Sequence, residues 1–189
     1  PKGWSGGTTA NGTLFIGSMQ GKLVTVNTLD GSRLRAVSLE TPAVPSGGFG
    51  CKPASAVVAI YGSPAVAGDL VYVGGYNGLV YAFGVDRDEP RWVYPRQGSL
   101  GSNIVGGLIV AQGKVYFGSA KGEVYALNAA DGYKEWVVKP GGKIWSTPAI
   151  DGDTLFIGSF DKKLYALNVA DGSLKWEFPA EGAIEATPL

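Results

Sequence analysis

Histidine is absent from this 189-residue sequence, and cysteine and methionine each occur only once. Without histidine the chain lacks the commonest general base, the usual zinc ligand and the partner that activates a serine or cysteine nucleophile. The single cysteine, Cys51, cannot form a disulfide bond within the chain. These absences argue against the histidine-dependent enzyme classes, and we expect no catalytic residues, no metal site and no bound cofactor.

The sequence also lacks an excess of charge of either sign and any long apolar run. Sixteen Lys and Arg residues balance sixteen Asp and Glu residues, whereas a protein that binds phosphate backbones needs a basic surplus. No apolar stretch approaches the roughly 18 residues that a membrane-spanning helix requires. We therefore expect neither nucleic acid as a partner nor a membrane span.

Glycine, by contrast, is abundant at 30 residues, and much of it falls within a repeat. Four copies align without a gap over residues 13–35, 70–92, 114–136 and 154–176. Each copy has an apolar run that ends in Gly-Ser or Gly-Gly, two turn residues, a second apolar run and a longer connection. In the second copy the turn is Asn-Gly, which is typical of a β-hairpin because both central residues of such a turn need positive φ.

A further strand is expected before each copy, which gives every repeat unit four strands, called A to D here. In the last complete unit we place strand A around residues 144–150. The sequence therefore predicts an all-β protein, a β-propeller of four-stranded antiparallel blades. The predicted blades are residues 1–40, 57–97, 102–140 and 142–180, with an insertion at 40–60 and an extra strand at 182–189.

The extra strand has a consequence for the predicted ring. Closed propellers have four to eight blades, and in a four-bladed ring the extra strand would compete with the first strand A for the same position. We therefore expect these blades to belong to a seven- or eight-bladed ring. Further blades, or a second half-ring in a homodimer, would complete it.

Residues 126–136 and 166–176 resemble the signature of the PQQ-like (pyrroloquinoline-quinone-type) β-propeller repeat, in which Asp-Gly and then Trp recur once per blade. The resemblance implies that the tryptophans are docking residues that pack between neighbouring blades, against small residues of the adjacent blade. Arg35 occupies the tryptophan position of the first copy, so we expect weaker docking there. The implied docking set is Trp92, Trp136, Trp176, Ala126, Ala166, Gly132 and Gly172.

The resemblance also frames the alternatives for function. Quinone-dependent dehydrogenases of similar fold carry adjacent cysteines and a calcium ion held by Glu, Asn and Asp, and this sequence has no such cysteine pair. The leading hypothesis is a non-catalytic binding or scaffold propeller that binds another protein, similar to the BamB-like scaffold propellers. Such a protein would be exported from a prokaryotic cell to the periplasm or cell surface. The alternatives are a fragment of a quinone-dependent dehydrogenase and a small-ligand or sugar-binding propeller.

Two groups of residues are candidates for binding. The insertion at 40–60 interrupts the repeat and offers Phe49, Cys51 and Lys52 in a loop rich in Gly and Pro. The aromatic residues Trp4, Tyr61 and Trp145 share one repeat position, which we expect on strand A beside the central channel. The charged run 86–89 replaces the usual Asp-Gly connection, and we expect it to be solvated.

Overall fold

The computed structural model describes residues 6–39 and 58–188, and within them it contains sixteen short strands in four sheets. No helix in these residues could cross a membrane. Each sheet, or blade, takes four consecutive strands. Blade 1 holds β1 (Gly7–Ala10), β2 (Thr13–Gly17), β3 (Lys22–Asn27) and β4 (Arg33–Ser38), and blade 2 holds β5 (Ala65–Ala67), β6 (Leu70–Gly74), β7 (Val80–Gly84) and β8 (Pro90–Tyr94). Blade 3 holds β9 (Ile109–Ala111), β10 (Lys114–Gly118), β11 (Val124–Asn128) and β12 (Lys134–Val138), and blade 4 holds β13 (Ala149–Asp151), β14 (Thr154–Gly158), β15 (Lys163–Asn168) and β16 (Leu174–Pro179).

Every blade is an antiparallel meander in which strands A to D lie side by side in chain order. The B–C hairpins need left-handed backbone, which glycine adopts without steric cost. Only the second turn residue is left-handed, and not both as predicted: Gly21, Gly78 and Gly122 supply this conformation in the first three blades, with φ between 71° and 85°. Blade 4 has Lys162 at this position, and Lys162 keeps the left-handed conformation with φ of 68°. The turn geometry is therefore preserved where the glycine is lost.

The connections between strands C and D share one construction in three blades. In blade 3, the side chain of Asn128 accepts a hydrogen bond from the Ala130 N–H, and Asp131 accepts one from the Tyr133 N–H. The same pattern recurs in blades 1 and 4. Asx turns of this kind suit Asn and Asp, whose short side chains reach the backbone two residues on. In all four blades the pairing between strands C and D also shifts register near this connection, so the same irregularity recurs in each sheet.

Strand A is the innermost strand of each blade. β1 lies beside β5, and β5 lies beside β9, although these strands belong to different sheets. The approach is closest where Gly62 meets the backbone of Gly106, because a Cβ atom on Gly62 would collide with the Gly106 carbonyl. The innermost strands thus converge on a common centre, as the blades of a propeller do.

The hydrophobic core consists of three layers, each between two neighbouring blades. The layer between blades 1 and 2 contains Phe15, Leu23, Ile60, Val71 and Phe83, all of them buried. Comparable layers join blade 2 to blade 3 and blade 3 to blade 4. Because a sheet can bury a face only against another sheet, each interior blade is covered on both faces.

Two boundaries differ from those predicted. Strand A begins after the proline, at Ala65 in blade 2 and at Ala149 in blade 4, so Tyr61 and Trp145 lie before it and not on it. The residues before the proline instead bridge two blades: the Ile60 N–H donates to the Ser18 carbonyl of blade 1. The extra strand predicted at 182–189 is not found either, since residues 182–188 contain no strand.

Candidate functional site

Two of the docking tryptophans join neighbouring blades through the same contacts. The indole N–H of Trp92 donates to the Ala129 carbonyl at 3.1 Å, and that of Trp136 donates to the Val169 carbonyl at 3.1 Å. The Trp92 ring lies on Gly132 of the next blade, where a Cβ atom would be 2.6 Å from the ring. Trp136 lies on Gly172 in the same way. Only glycine leaves room for the ring, and both tryptophans are buried.

Ala126 and Ala166, the two alanines of the predicted docking set, do not lie in the blade where we expected them to contact a tryptophan. Ala126 is the cross-strand neighbour of Trp136 within blade 3, and Ala166 is the neighbour of Trp176 within blade 4. They do not belong to the adjacent blade. Ala126 also pairs with Tyr116 on its other side, so the two aromatic rings meet over the small residue, with centroids 5.8 Å apart. A larger side chain on the middle strand would separate the rings.

Blade 1 carries an ionic substitute for the tryptophan. Arg35 reaches across to blade 2, where its Nη2 donates to the Gly84 carbonyl at 3.2 Å and its Nε lies 3.5 Å from Asp88 Oδ1. The Arg35 side chain is only 15% exposed. Asp88 occupies the repeat position of Gly132 and Gly172, on which the tryptophans lie.

This pair revises two predictions. The charged run 86–89 is not only solvated, since Asp88 binds Arg35. Blade 1 is also linked to blade 2 by polar contacts that the sequence reasoning missed. The signal was present in the sequence, because Arg35 and Asp88 depart from the repeat at the two positions that meet between blades.

A rim of aromatic side chains lies on the face of the molecule that carries the B–C hairpins. Its members come from these hairpins and from the segments that lead into strand A. We call Tyr61, Tyr76, Trp145 and Phe160 the aromatic rim. Tyr61 contacts Tyr76 edge-on at 5.2 Å between centroids, and Trp145 contacts Phe160 edge-on at 4.6 Å. The two pairs occupy identical positions in blades 2 and 4.

Between the two pairs, blade 3 has small residues at the same positions, Val105 and Ala120. This leaves a cleft of about 180 Å³ at the mouth of the channel, lined by Tyr61, Val105, Trp145 and Glu185 among others. The structure therefore brings Tyr61 and Trp145 to one cleft. The other candidate binding residues, Trp4, Phe49, Cys51 and Lys52, lie outside the described residues.

The titratable groups of the B–C hairpins hold structure together. Asp161 Oδ2 accepts hydrogen bonds from the Tyr165 hydroxyl at 2.6 Å and from the Gly142 N–H at 2.9 Å. Burial alone would raise the pKa of Asp161, but these hydrogen bonds outweigh it and hold the pKa below its ordinary value. In blade 3, burial together with the hydrogen bond to Glu123 raises the pKa of the Tyr125 hydroxyl.

The described residues do not fit the quinone cofactor for which the repeat is named. Residues 6–39 and 58–188 contain no group of three or more Cys, Asp or Glu side chains that could hold a calcium ion. The cleft at the channel mouth has one carboxylate in its lining, that of Glu185. The rest of the lining is uncharged and includes the aromatic rings of Tyr61 and Trp145.

Comparisons with known proteins extend this description. The crystal structure of BamB from Moraxella catarrhalis superposes with a TM-score of 0.70 at 19% identity, covering 92% of this chain and 47% of that chain. The computationally designed protein Ika8 superposes with a TM-score of 0.74 at 15% identity, covering 95% of this chain and 50% of that chain. This chain therefore spans about half the length of both, and at these identities the likeness shows the fold alone.

No curated protein matches the sequence. A family match, however, covers residues 4–111 and 101–189, which is nearly the whole chain, and the family is described as "Outer membrane protein assembly factor BamB". The chain belongs to this family of BamB-like, PQQ-like β-propellers.

Proposed function

We propose that this chain is part of a non-catalytic scaffold propeller that binds another protein at the mouth of its channel. The family description, an outer membrane protein assembly factor, supports a scaffold role. The observation that carries the proposal is the aromatic rim. Its rings are fixed in edge-on pairs, and Tyr76 is 45% exposed. Rigid aromatic side chains supply contact area at a low cost in conformational entropy, which is why they are enriched in protein interfaces.

The size of the cleft favours a protein over a small molecule as the partner. Its volume of about 180 Å³ is below the range of about 300–1,000 Å³ that is typical of small-molecule sites. The insertion at 40–60 ends directly before Tyr61 of the aromatic rim. We propose that its residues Phe49, Cys51 and Lys52 extend the binding surface beyond the rim.

The compartment is part of the proposal. A scaffold of this family would act outside the cytoplasm, in the periplasm or at the cell surface of a prokaryote. Its mechanism would be docking alone: rigid blades present the rim and the insertion, and the partner binds without a chemical step.

Site-specific crosslinking tests the proposed surface in its native cell. A photoreactive phenylalanine derivative replaces Tyr76 on the rim, and a matched variant carries it at Tyr133. Tyr133 is also an exposed tyrosine, at 60%, but it lies in a C–D connection on the opposite face. We expect a crosslinked species of defined mass from the Tyr76 variant and none from the Tyr133 variant. Equal labelling from both positions, or none from either, would contradict the proposed surface.

The non-catalytic part of the proposal has a separate test. Pyrroloquinoline quinone and calcium are added together to the purified chain, and the melting temperature and the quinone absorbance are recorded. We expect no change in either, since the described residues offer no ligand set for the pair. A saturable rise in the melting temperature, with a change in absorbance, would favour the dehydrogenase alternative.

A small-ligand function remains the second candidate, because the cleft has a feature of sugar sites. Tyr61 and Trp145 line the cleft together with small residues such as Gly106, and a flat aromatic face can stack on the apolar face of a sugar ring. Titration with neutral mono- and disaccharides, followed by tryptophan fluorescence, tests it. Saturable quenching that disappears in Trp145→Ala would support this candidate over protein docking.

A further inference from the structure

A groove separates blades 2 and 3 on the face that carries the A–B turns, opposite to the aromatic rim. Its volume of about 490 Å³ falls within the range of about 300–1,000 Å³ that is typical of small-molecule sites. Both of its walls belong to interior blades, each of which packs against a blade on either side. We call it the blade 2–3 groove, and most of its lining is apolar: Ala67, Leu70, Tyr72, Val110, Ala111 and Ala129.

The equivalent groove between blades 3 and 4 is crossed by two side chains of blade 3. The Lys114 ammonium donates to the Ala170 carbonyl at 3.4 Å, and the Gln112 amide donates to the Gly152 carbonyl at 2.9 Å. Glu135 Oε2 lies 4.0 Å from the same ammonium and supplies a countercharge. That groove therefore holds an ammonium group on an aliphatic stem that belongs to the chain itself.

The blade 2–3 groove lacks both of these side chains. Leu70 and Gly68 stand at the repeat positions of Lys114 and Gln112, and neither side chain has a hydrogen-bond donor. The backbone of the turn is the same, since φ is 60° at Gly68 and 51° at Gln112. The Ala130 carbonyl, which corresponds to the acceptor of the Lys114 ammonium, therefore receives no side chain from position 70 of blade 2. It can accept from a ligand that brings its own ammonium group.

The charged groups at the edge of the groove also depart from the repeat. Arg91 stands at the position of Glu135, and Asp69 stands at the position of Gly113. The two side chains lie side by side, with Arg91 Nη1 3.9 Å from Asp69 Oδ2, and both are largely exposed. No other residue in the lining of the groove is charged. A positive and a negative group next to each other match a ligand that carries both a carboxylate and an ammonium.

We propose that the blade 2–3 groove binds a free amino acid with a large apolar side chain, such as leucine or phenylalanine. The ammonium group of the ligand donates to the Ala130 carbonyl and faces Asp69. Its carboxylate pairs with Arg91, whose planar guanidinium group suits two carboxylate oxygens. Its apolar side chain lies on Leu70 and Tyr72 in the floor of the groove. This ligand site is on the opposite face from the proposed protein-binding surface and adds a second binding function to the scaffold.

Calorimetric titration of the purified chain with L-leucine and L-phenylalanine tests the proposal, and three analogues dissect it. N-acetyl-L-leucine lacks the ammonium charge, L-leucinamide lacks the carboxylate, and glycine lacks the apolar side chain. We expect saturable binding of leucine or phenylalanine to one site. Each analogue should bind more weakly than leucine by about ten-fold or more, because it loses a charged hydrogen bond or the burial of an apolar side chain.

Two variants locate the binding in the groove. Leu70→Lys supplies the ammonium group that Lys114 supplies in the next groove, so it should abolish leucine binding. Arg91→Gln removes the partner of the carboxylate and should weaken leucine binding by about ten-fold, with no further loss for leucinamide. Lys175→Gln is its matched control, because Lys175 has the same repeat position in blade 4 and pairs with Asp153 at 2.6 Å. It should leave the affinity for leucine unchanged.

Three results would each overturn the proposal: no saturable binding of leucine or phenylalanine, equal affinity for leucine and its two singly charged analogues, or an affinity that Arg91→Gln and Lys175→Gln change to the same extent. Circular dichroism shows whether each variant is folded. The comparison of ligands needs no substitution, so it decides the proposal even if Leu70→Lys does not fold. None of these results bears on the crosslinking at Tyr76, so the two proposals fail independently.

Discussion

The docking tryptophan combines an apolar contact with a directed hydrogen bond at one residue. A tryptophan buries more apolar area than other side chains, but its N–H needs an acceptor when it is buried. The C–D connection of the next blade meets both needs, with a glycine that has no side chain and a carbonyl three residues before it. At Trp136 these are Gly172 and the Val169 carbonyl. One side chain therefore fixes the distance and the register between two blades.

Substitutions at Trp136 separate the two contributions. We expect Trp136→Ala to lower the free energy of unfolding by about 3–5 kcal/mol, since it removes a large buried ring. Trp136→Phe keeps part of the ring but leaves the Val169 carbonyl without its donor, and we expect it to cost about 1–3 kcal/mol. Trp176→Ala, measured in dilute solution, should cost about 1 kcal/mol or less, because that ring is half exposed. Denaturant unfolding measures all three, and equal losses for Trp136→Ala and Trp176→Ala would contradict the docking role.

At the residue scale the sequence located positions better than partners. Trp92, Trp136 and their glycines could be identified because the same contact between blades recurs at the same repeat positions. The repeat placed Ala126 in the wrong blade, since one-dimensional spacing cannot distinguish a cross-strand neighbour from a contact between sheets. It missed the link between Arg35 and Asp88 because two exceptions in different copies become related only when the blades pack. The stabilising role of the docking set stays a prediction.

The B–C hairpins share one backbone conformation but carry different side chains from blade to blade. Blade 2 uses Asn77, whose side-chain amide donates to the Tyr81 hydroxyl at 2.8 Å. Blade 4 uses Asp161, which accepts from the Tyr165 hydroxyl and also binds the bridge at Gly142. A carboxylate can accept several hydrogen bonds, so it ties the hairpin to the segment that enters strand A. The hairpin of blade 4 should therefore depend on pH in a way that the hairpin of blade 2 does not.

We expect Asp161→Asn to remove part of the acid sensitivity of the protein. The pKa of Asp161 is lower in the folded chain than its ordinary value, so its contribution to stability is complete above the unfolded-state pKa. It is lost as the pH falls through the folded-state value, below about pH 4. The substitution should cost roughly 1 kcal/mol at neutral pH and flatten the dependence of the unfolding free energy on pH below that range. Asp151→Asn, which removes a carboxylate at an exposed strand end of the same blade, is the matched control.

Whole strands were predictable because their signals are local. The B, C and D strands follow from apolar runs and from turns that require positive φ, and the sheets confirm the all-β propeller fold. Strand A was misplaced by several residues, since Tyr61 and Trp145 are apolar and could equally belong to a strand. They lie in the bridge instead because the backbone of Ile60 pairs with blade 1 before the chain turns into blade 2. Such a pairing leaves no periodic mark in the sequence.

At the scale of the whole molecule, each blade is stabilised only by its immediate neighbours. The three core layers are separate clusters, and contacts between innermost strands join adjacent blades, β1 with β5 and β5 with β9. Repeat proteins built in this way have a stability that is a sum of unit and interface contributions. An end blade has one interface fewer than an interior blade. The arc should therefore not unfold in a single step, and its ends should open first.

Amide hydrogen exchange in dilute solution should reveal this order. Strands β10 and β11 of blade 3 are covered on both faces, and almost all of their residues are buried. Every residue of β16 in blade 4 is exposed. We expect the slowest exchange in β10 and β11, intermediate rates in blade 2, and the fastest exchange in β1 and β16. Uniform protection along the chain would show that the blades unfold as one unit and would contradict the additive picture.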